Sequence, residues 1–353
     1  MKRRNFIKKS ITVPAVSLLP VGTLLAMEQT ATEQPFMHAT LAKRLEPGDT
    51  LGLIAPGYAV SPEKLEEAIG YVEELGFKVY HTDRITGNYG YLSNTDEERL
   101  ADLHHMFEND DVDGILCVRG GYGCTRILPG INWELIRNHP KIFTGFSDVT
   151  ALLNEMNRQT GLVCFHGPVG TTLDTDYNKE HFLRIINGDQ SEIILSPYPY
   201  HEEEEEKPEE YQPYLLKPGK ATGILAGGNL SLLAAMTGTP YEPDYTNKIV
   251  FLEEIEEEPY RVDRMLTQLR QSATFDKASA IIMGIFAGCN KSRNSNSFSL
   301  KEVLQNTLGD LEIPVAYGFP IGHIDENTTL PMGIPVEADT ENMTVKILNS
   351  SVI

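Results

Sequence analysis

Thr50-Leu-Gly-Leu-Ile-Ala-Pro-Gly-Tyr-Ala-Val-Ser-Pro-Glu-Lys64 sets the pattern on which the fold is read. Leu51 to Ala55 is a short, nearly unbroken apolar run, the pattern of a strand buried on both faces. Ser61 then offers a capping oxygen, Pro62 takes the first helical position, and Gly76 stands just past Leu75, so a helix is expected between them. Lys78 to His81 returns as a strand. Working outward, Thr95-Asp-Glu-Glu98 is a capping-box pattern that opens a helix toward Asn109. Gly114 to Val118 and Ile142 to Gly145 read as further strands. Strand–helix alternation of this kind predicts a parallel sheet covered on both faces, hence an α/β fold.

The N-terminus follows other rules. Lys2, Arg3, Arg4, Lys8 and Lys9 precede an uncharged, mostly apolar stretch from Ser10 to Ala26. That arrangement reads as an export signal over 1–26, and Arg3-Arg4-Asn5-Phe6 resembles a twin-arginine signal. An uncleaved amphipathic anchor is the alternative. Pro14 and Pro20 interrupt the stretch, which is too short for a good membrane span. Residues 27–40 read as a polar tether. The chain is expected to be exported, to the periplasm of a bacterium.

The 353 residues carry a formal charge of −20. Removing residues 1–26, with five basic and no acidic residues, takes the charge to −25. Such acidity excludes a nucleic-acid partner, because no basic surface is available to displace counterions. Four scattered cysteines with no C-x-x-C pair argue against a disulfide scaffold and a metal site. Two domains are expected, 41–195 and 221–353, joined by an acidic linker over 196–220 that contains Glu202 to Glu206 together with Pro208, Pro213 and Pro218.

Turns directly after strands are where a site belongs in an open parallel sheet. Four stand out here. Arg119-Gly-Gly-Tyr-Gly123 offers free backbone N–H groups to an oxyanion or phosphate, but lacks the third glycine of a dinucleotide fingerprint. Gly145-Phe-Ser-Asp148 places a serine on a strand-to-helix turn, as a nucleophile requires, although Ser147 or Asp148 would serve equally as a helix cap. Phe251-Leu-Glu-Glu254 runs a buried strand into acid, and Gly318-Phe-Pro-Ile-Gly-His323 ends a strand on a histidine. Ser, Glu and His at strand ends suit a nucleophile, an orienting acid and a general base.

These turns belong to a longer series. Gly227-Gly-Asn-Leu230 and Gly238-Thr-Pro240 lie between Ala151 and Phe251; Pro259-Tyr-Arg-Val-Asp-Arg264 precedes Gly322-His323. In this order the seven motifs resemble the LD-carboxypeptidase family of serine peptidases (muramoyltetrapeptide carboxypeptidases, with the microcin C immunity peptidases as relatives), over roughly Leu45 to Val345. The resemblance implies a Rossmann-like N-terminal domain and a second mixed α/β domain, with the active site in the cleft between them. It implies a triad of Ser147, Glu253 and His323, an oxyanion hole from the backbone N–H groups of Gly121 and Asp148, and no cofactor. It also implies release of the terminal D-alanine from murein tetrapeptides through an acyl-enzyme, and suggests a homodimer. The terminal carboxylate calls for a local cation in so acidic a protein. Arg119 and Arg126 beside the oxyanion loop are the candidates, and Tyr122 is a candidate for substrate contact. The alternatives are cleavage of a peptidyl- or aminoacyl-nucleotide amide, which aromatic residues stacking in the cleft would favour, and a non-catalytic wall-peptide-binding protein.

Overall fold

Strands Thr50–Ile54 (β1), Lys78–Tyr80 (β2), Gly114–Cys117 (β3), Ile142–Gly145 (β4) and Cys164–His166 (β5) alternate with helices Pro62–Glu74 (α1), Asp96–Glu108 (α2), Cys124–Ile127 (α3), Trp133–Asn138 (α4), Thr150–Thr160 (α5) and Asp176–Ile186 (α6). This is a computed structural model, and it describes residues 39–188, 194–198 and 208–353. The export signal and all but the last two residues of the tether lie outside the described residues, as does the run Glu202 to Glu206.

The predicted caps form as the residues dictate. Ser61 Oγ accepts the Lys64 N–H, while Thr95 and Glu98 exchange hydrogen bonds as a capping box. Ile115, Leu116, Ile142 and Phe143 are fully buried, each contributing about 1.5–3 kcal/mol through loss of apolar surface.

The second half runs Ile194–Leu195 (β6), Tyr214–Lys217 (β7), Lys220–Asn229 (β8), Leu230–Met236 (α7), Lys248–Ile255 (β9), Pro259–Arg270 (α8), Ala280–Ala287 (β10), Leu300–Leu308 (α9), Val315–Tyr317 (β11), Leu330–Met332 (β12), Pro335–Asp339 (β13) and Thr344–Ile347 (β14). Among the described residues the strands make two sheets, ordered β12-β5-β4-β3-β1-β2 and β6-β14-β13-β8-β9-β10-β11-β7. Strands β1 to β5 pair in parallel, and so do β8 to β11. Their carboxyl ends carry the four turns singled out in the sequence.

The expected domain boundaries are crossed at three places. β12, from the C-terminal half, pairs antiparallel with β5 and closes the edge of the first sheet. β6, at the very end of the expected N-terminal domain 41–195, joins the second sheet on β14. Residues 214–217, expected in the linker, form strand β7 on the edge of the second sheet against β11. There the Tyr214 ring stacks on buried Tyr317 at 4.8 Å. Acid and proline around these four residues hid their apolar alternation. The tether's end is likewise held, since Thr40 N–H donates to Gly161.

Candidate active site

β4 ends at Gly145, and a single 3-10 turn, Ser147–Val149, leads into α5. Ser147 has φ 61, in the left-handed region that costs a residue with a Cβ of order 1–3 kcal/mol. Neither capping role materialises. Ser147 Oγ makes no hydrogen bond among the described residues, and α5 has no side-chain cap. The buried Asp148 carboxylate turns away and accepts the Cys124 N–H at 2.8 Å, tying the helix start to the glycine-rich turn after β3.

That turn packs directly on the serine. A Cβ on Gly120 would lie 2.8 Å from Ser147 Cβ, and one on Gly121, at φ 109, would enter the Tyr58 ring. Neither the Gly121 nor the Asp148 backbone N–H donates to another group among the described residues. Buried Arg99 supports the turn from behind, with Nη1 donating to Pro56 and Gly123 carbonyls.

From the second sheet, β9 delivers Glu253, fully buried, and the turn after β11 delivers His323. His323 Nδ1 and Glu253 Oε2 are 2.8 Å apart. Burial opposes charge on both groups, but each partner's charge and the shared hydrogen bond outweigh it. Glu253 is held below the ordinary carboxylate range and His323 above the ordinary histidine range. A carboxylate on Nδ1 leaves Nε2 as the free ring nitrogen. The imidazole packs on Phe146, the residue before Ser147, with ring centres 4.7 Å apart.

Ser147 and His323 thus line one cleft of about 460 Å³, together with Arg119, Gly120, Gly121 and Phe146. The neighbouring Glu254 faces the other way. Its carboxylate accepts from Asn229, from the Ser231 N–H and hydroxyl, and from the Ile255 N–H. Burial and the adjacent Glu253 charge push it up to about 7.

The family models for the N-terminal and C-terminal domains of LD-carboxypeptidases match residues 51–167 and 222–338. The chain belongs to the LD-carboxypeptidase family. It is a serine-type carboxypeptidase. A protein of Bacillus subtilis (strain 168) named probable murein peptide carboxypeptidase is 40% identical over 306 residues, covering 86% of this chain and 93% of its own length. The murein tetrapeptide carboxypeptidase of Pseudomonas aeruginosa is 32% identical over 300 residues, covering 80% of this chain and 91% of its own. Among solved structures, an MccF-like protein from Bacillus anthracis str. Ames matches with a TM-score of 0.77 at 28% identity, over 88% of this chain and all of that one. The two-sheet α/β architecture is the family's fold.

Not every residue singled out in this carboxypeptidase's sequence reaches the cleft. Arg119 does; its guanidinium donates to the Ala59 carbonyl, lies 5.5 Å from the Tyr58 ring centre and has no carboxylate partner among the described residues. Arg126 instead makes a bidentate pair with Asp96, which also binds Arg99. Tyr122 is exposed and leans on Tyr91, outside the cleft lining. Lys64, Thr171 and Thr172 do line it and were not anticipated. Lys64 looked like any polar residue on the outer face of α1. His166, at the end of β5, was also passed over, although Cys164-Phe-His-Gly-Pro168 has the same strand-then-glycine form as the other turns.

Proposed function

We propose that this enzyme removes the terminal D-alanine from murein tetrapeptides, with Ser147 as nucleophile, His323 as general base and then acid, and Glu253 as the group that orients and charges the imidazole. The observation that carries the reading is the His323–Glu253 hydrogen bond in a cleft shared with a serine held in a strained turn. His323 Nε2 takes the proton from Ser147 Oγ as the oxygen attacks the carbonyl of the third residue. The N–H groups of Gly121 and Asp148 receive the developing oxyanion, a contribution of about 2.7–4 kcal/mol per donor. Collapse breaks the C–N bond, and the D-alanine amine leaves with the proton from His323. Water, deprotonated by the same imidazole, then hydrolyses the acyl-enzyme and frees Ser147.

A carboxypeptidase must also hold a free carboxylate. Arg119 supports this reading because no acid among the described residues neutralises it at the cleft wall, whereas Arg126 is committed to Asp96. Lys64 adds a second cation, though it shares its charge with Glu67 at 2.6 Å. Cleavage of a nucleotide-linked amide is less well supported. Among the described residues the cleft lining carries no aromatic ring besides Phe146, which packs on the His323 imidazole, and the exposed tyrosines Tyr91 and Tyr122 stand outside it. The N-terminal basic and apolar segment supports export, where wall fragments arise.

Incubation of purified protein with murein tetrapeptide is expected to release D-alanine, and Ser147→Ala to lose at least about 10⁴-fold in kcat while remaining folded. No release by the wild-type protein, with turnover of an aminoacyl-nucleotide amide instead, would replace this reading.

A further inference from the structure

We propose that His166 is a positioning residue for this reaction: its imidazole holds the second carboxylate oxygen of Glu253, so that the first stays aligned on His323. The inference rests on the triad reading above. Nε2 of His166 and Oε1 of Glu253 lie 4.0 Å apart, and both side chains have no exposed surface. Glu253 Oε1 and both ring nitrogens of His166 have no hydrogen-bond partner among the described residues. Buried polar atoms are seldom left unpaired, and each that is deserves a cause. Here the unpaired donor and acceptor face each other, and a movement of about 1 Å brings them within hydrogen-bond range.

Packing alone would not select histidine at this position. The ring meets Phe251 edge-on at 4.9 Å and Phe146 at 6.0 Å, a setting that phenylalanine would fill without any polar atom to desolvate. The same packing fixes the plane of the imidazole and limits where its N–H can point. Burial drives His166 down to about 4, so it stays neutral where His323 works and carries one ring proton. A neutral donor steadies a carboxylate without competing for the charge that His323 needs.

The groups facing Glu253 come from several elements. His323 follows β11, His166 ends β5, Asn229 ends β8, and Glu254 is its own neighbour in β9. Asn229 donates its amide to Glu254 at 3.3 Å and also lies close enough to Glu253 to help hold it charged, yet Oε1 of Glu253 has no hydrogen-bond partner among the described residues. Backbone register adds a second role. His166 pairs with Gly145 of β4, two residues before Ser147, and with Leu330 of β12. A His166–Glu253 hydrogen bond therefore links the sheet that holds the nucleophile to the sheet that holds the relay.

The test compares wild type with His166→Phe and His166→Gln, using two readouts: turnover of tetrapeptide, and the rate at which a fluorophosphonate probe labels Ser147. The second needs no knowledge of the natural substrate. His166→Phe is expected to lower kcat and the labelling rate together by about tenfold to a hundredfold, with KM within twofold of wild type. Its acidic limb should move to higher pH, because a carboxylate without its second donor holds the His323 proton more strongly. His166→Gln should recover much of the rate by restoring an N–H donor. If His166→Phe fails to fold, nitrogen-15 NMR of the wild-type histidines serves instead, with His166 expected to be neutral at pH 7 and protonated on Nε2. Wild-type labelling and an unchanged pH profile in His166→Phe, or a proton on Nδ1, would overturn the proposal. A wild-type enzyme that is not labelled at Ser147 would overturn the triad reading itself.

Discussion

At the end of β4 the backbone carries the strain: Ser147 sits at φ 61, and Gly120 leaves just enough room for it. At the end of β9 the strand pairs in register as far as Glu253, and the stress is electrostatic, with two carboxylates side by side in sequence and buried on opposite faces. The first region places an atom. The second sets a charge. A site split in this way should fail differently on its two sides: by geometry where a methyl group is added near Ser147, and by protonation where charge is removed near His323.

The largest of the contrasting effects is expected on the electrostatic side. Glu253→Gln keeps the side-chain shape but removes the charge opposite His323, and kcat should fall by about 10²–10⁴-fold. Glu254→Gln should cost no more than about tenfold, since Glu254 bonds Ser231 and the start of α7 rather than the imidazole. Equal losses from the two would erase the distinction drawn between them.

On the geometric side, Gly120→Ala should lower kcat by about a hundredfold with folding intact, because its Cβ would press on Ser147. Stopped-flow or steady-state kinetics beside a thermal melt separates that outcome from simple instability.

A pH profile sharpens the comparison without any mutation. His323 is raised above 6.5 by Glu253, and only its neutral form accepts a proton. The acidic limb of kcat/KM should therefore fall above the ordinary histidine value, with activity lost as pH drops through it. In Glu253→Gln the limb should move down. A limb that stays put would place the titrating group elsewhere.

The smallest effects belong to the arginines. Arg119→Met should raise KM by about 10–100-fold, the worth of a charged hydrogen bond to the substrate carboxylate. Arg126→Met should leave KM alone and lower the melting temperature only slightly, as expected of a partly exposed pair with Asp96.

Much of the architecture was legible because single residues carry it. Ser61, Pro62, Thr95 and Glu98 announce their helices, and apolar runs such as Gly114 to Val118 announce strands buried on both faces. β7 was concealed by surrounding acid and proline. β12 was concealed by its brevity and by Pro331, which an edge strand tolerates. Within the candidate site, Ser147 and His323 could be found because each sits in the turn that follows a strand. Glu253 and Glu254 could not be told apart by that rule alone, since alternation sends one to each face and only sheet packing decides which meets the histidine. Arg119 and Arg126 were equally plausible for a similar reason: Asp96, which claims Arg126, is thirty residues away in sequence.

The most direct measurement is rapid-quench mass spectrometry of the enzyme turning over murein tetrapeptide. The account predicts a transient adduct of tripeptide mass on the peptide containing Ser147, formed as D-alanine is released. D-alanine release with no adduct, undiminished in Ser147→Ala, would contradict it and return Ser147 to a purely structural turn.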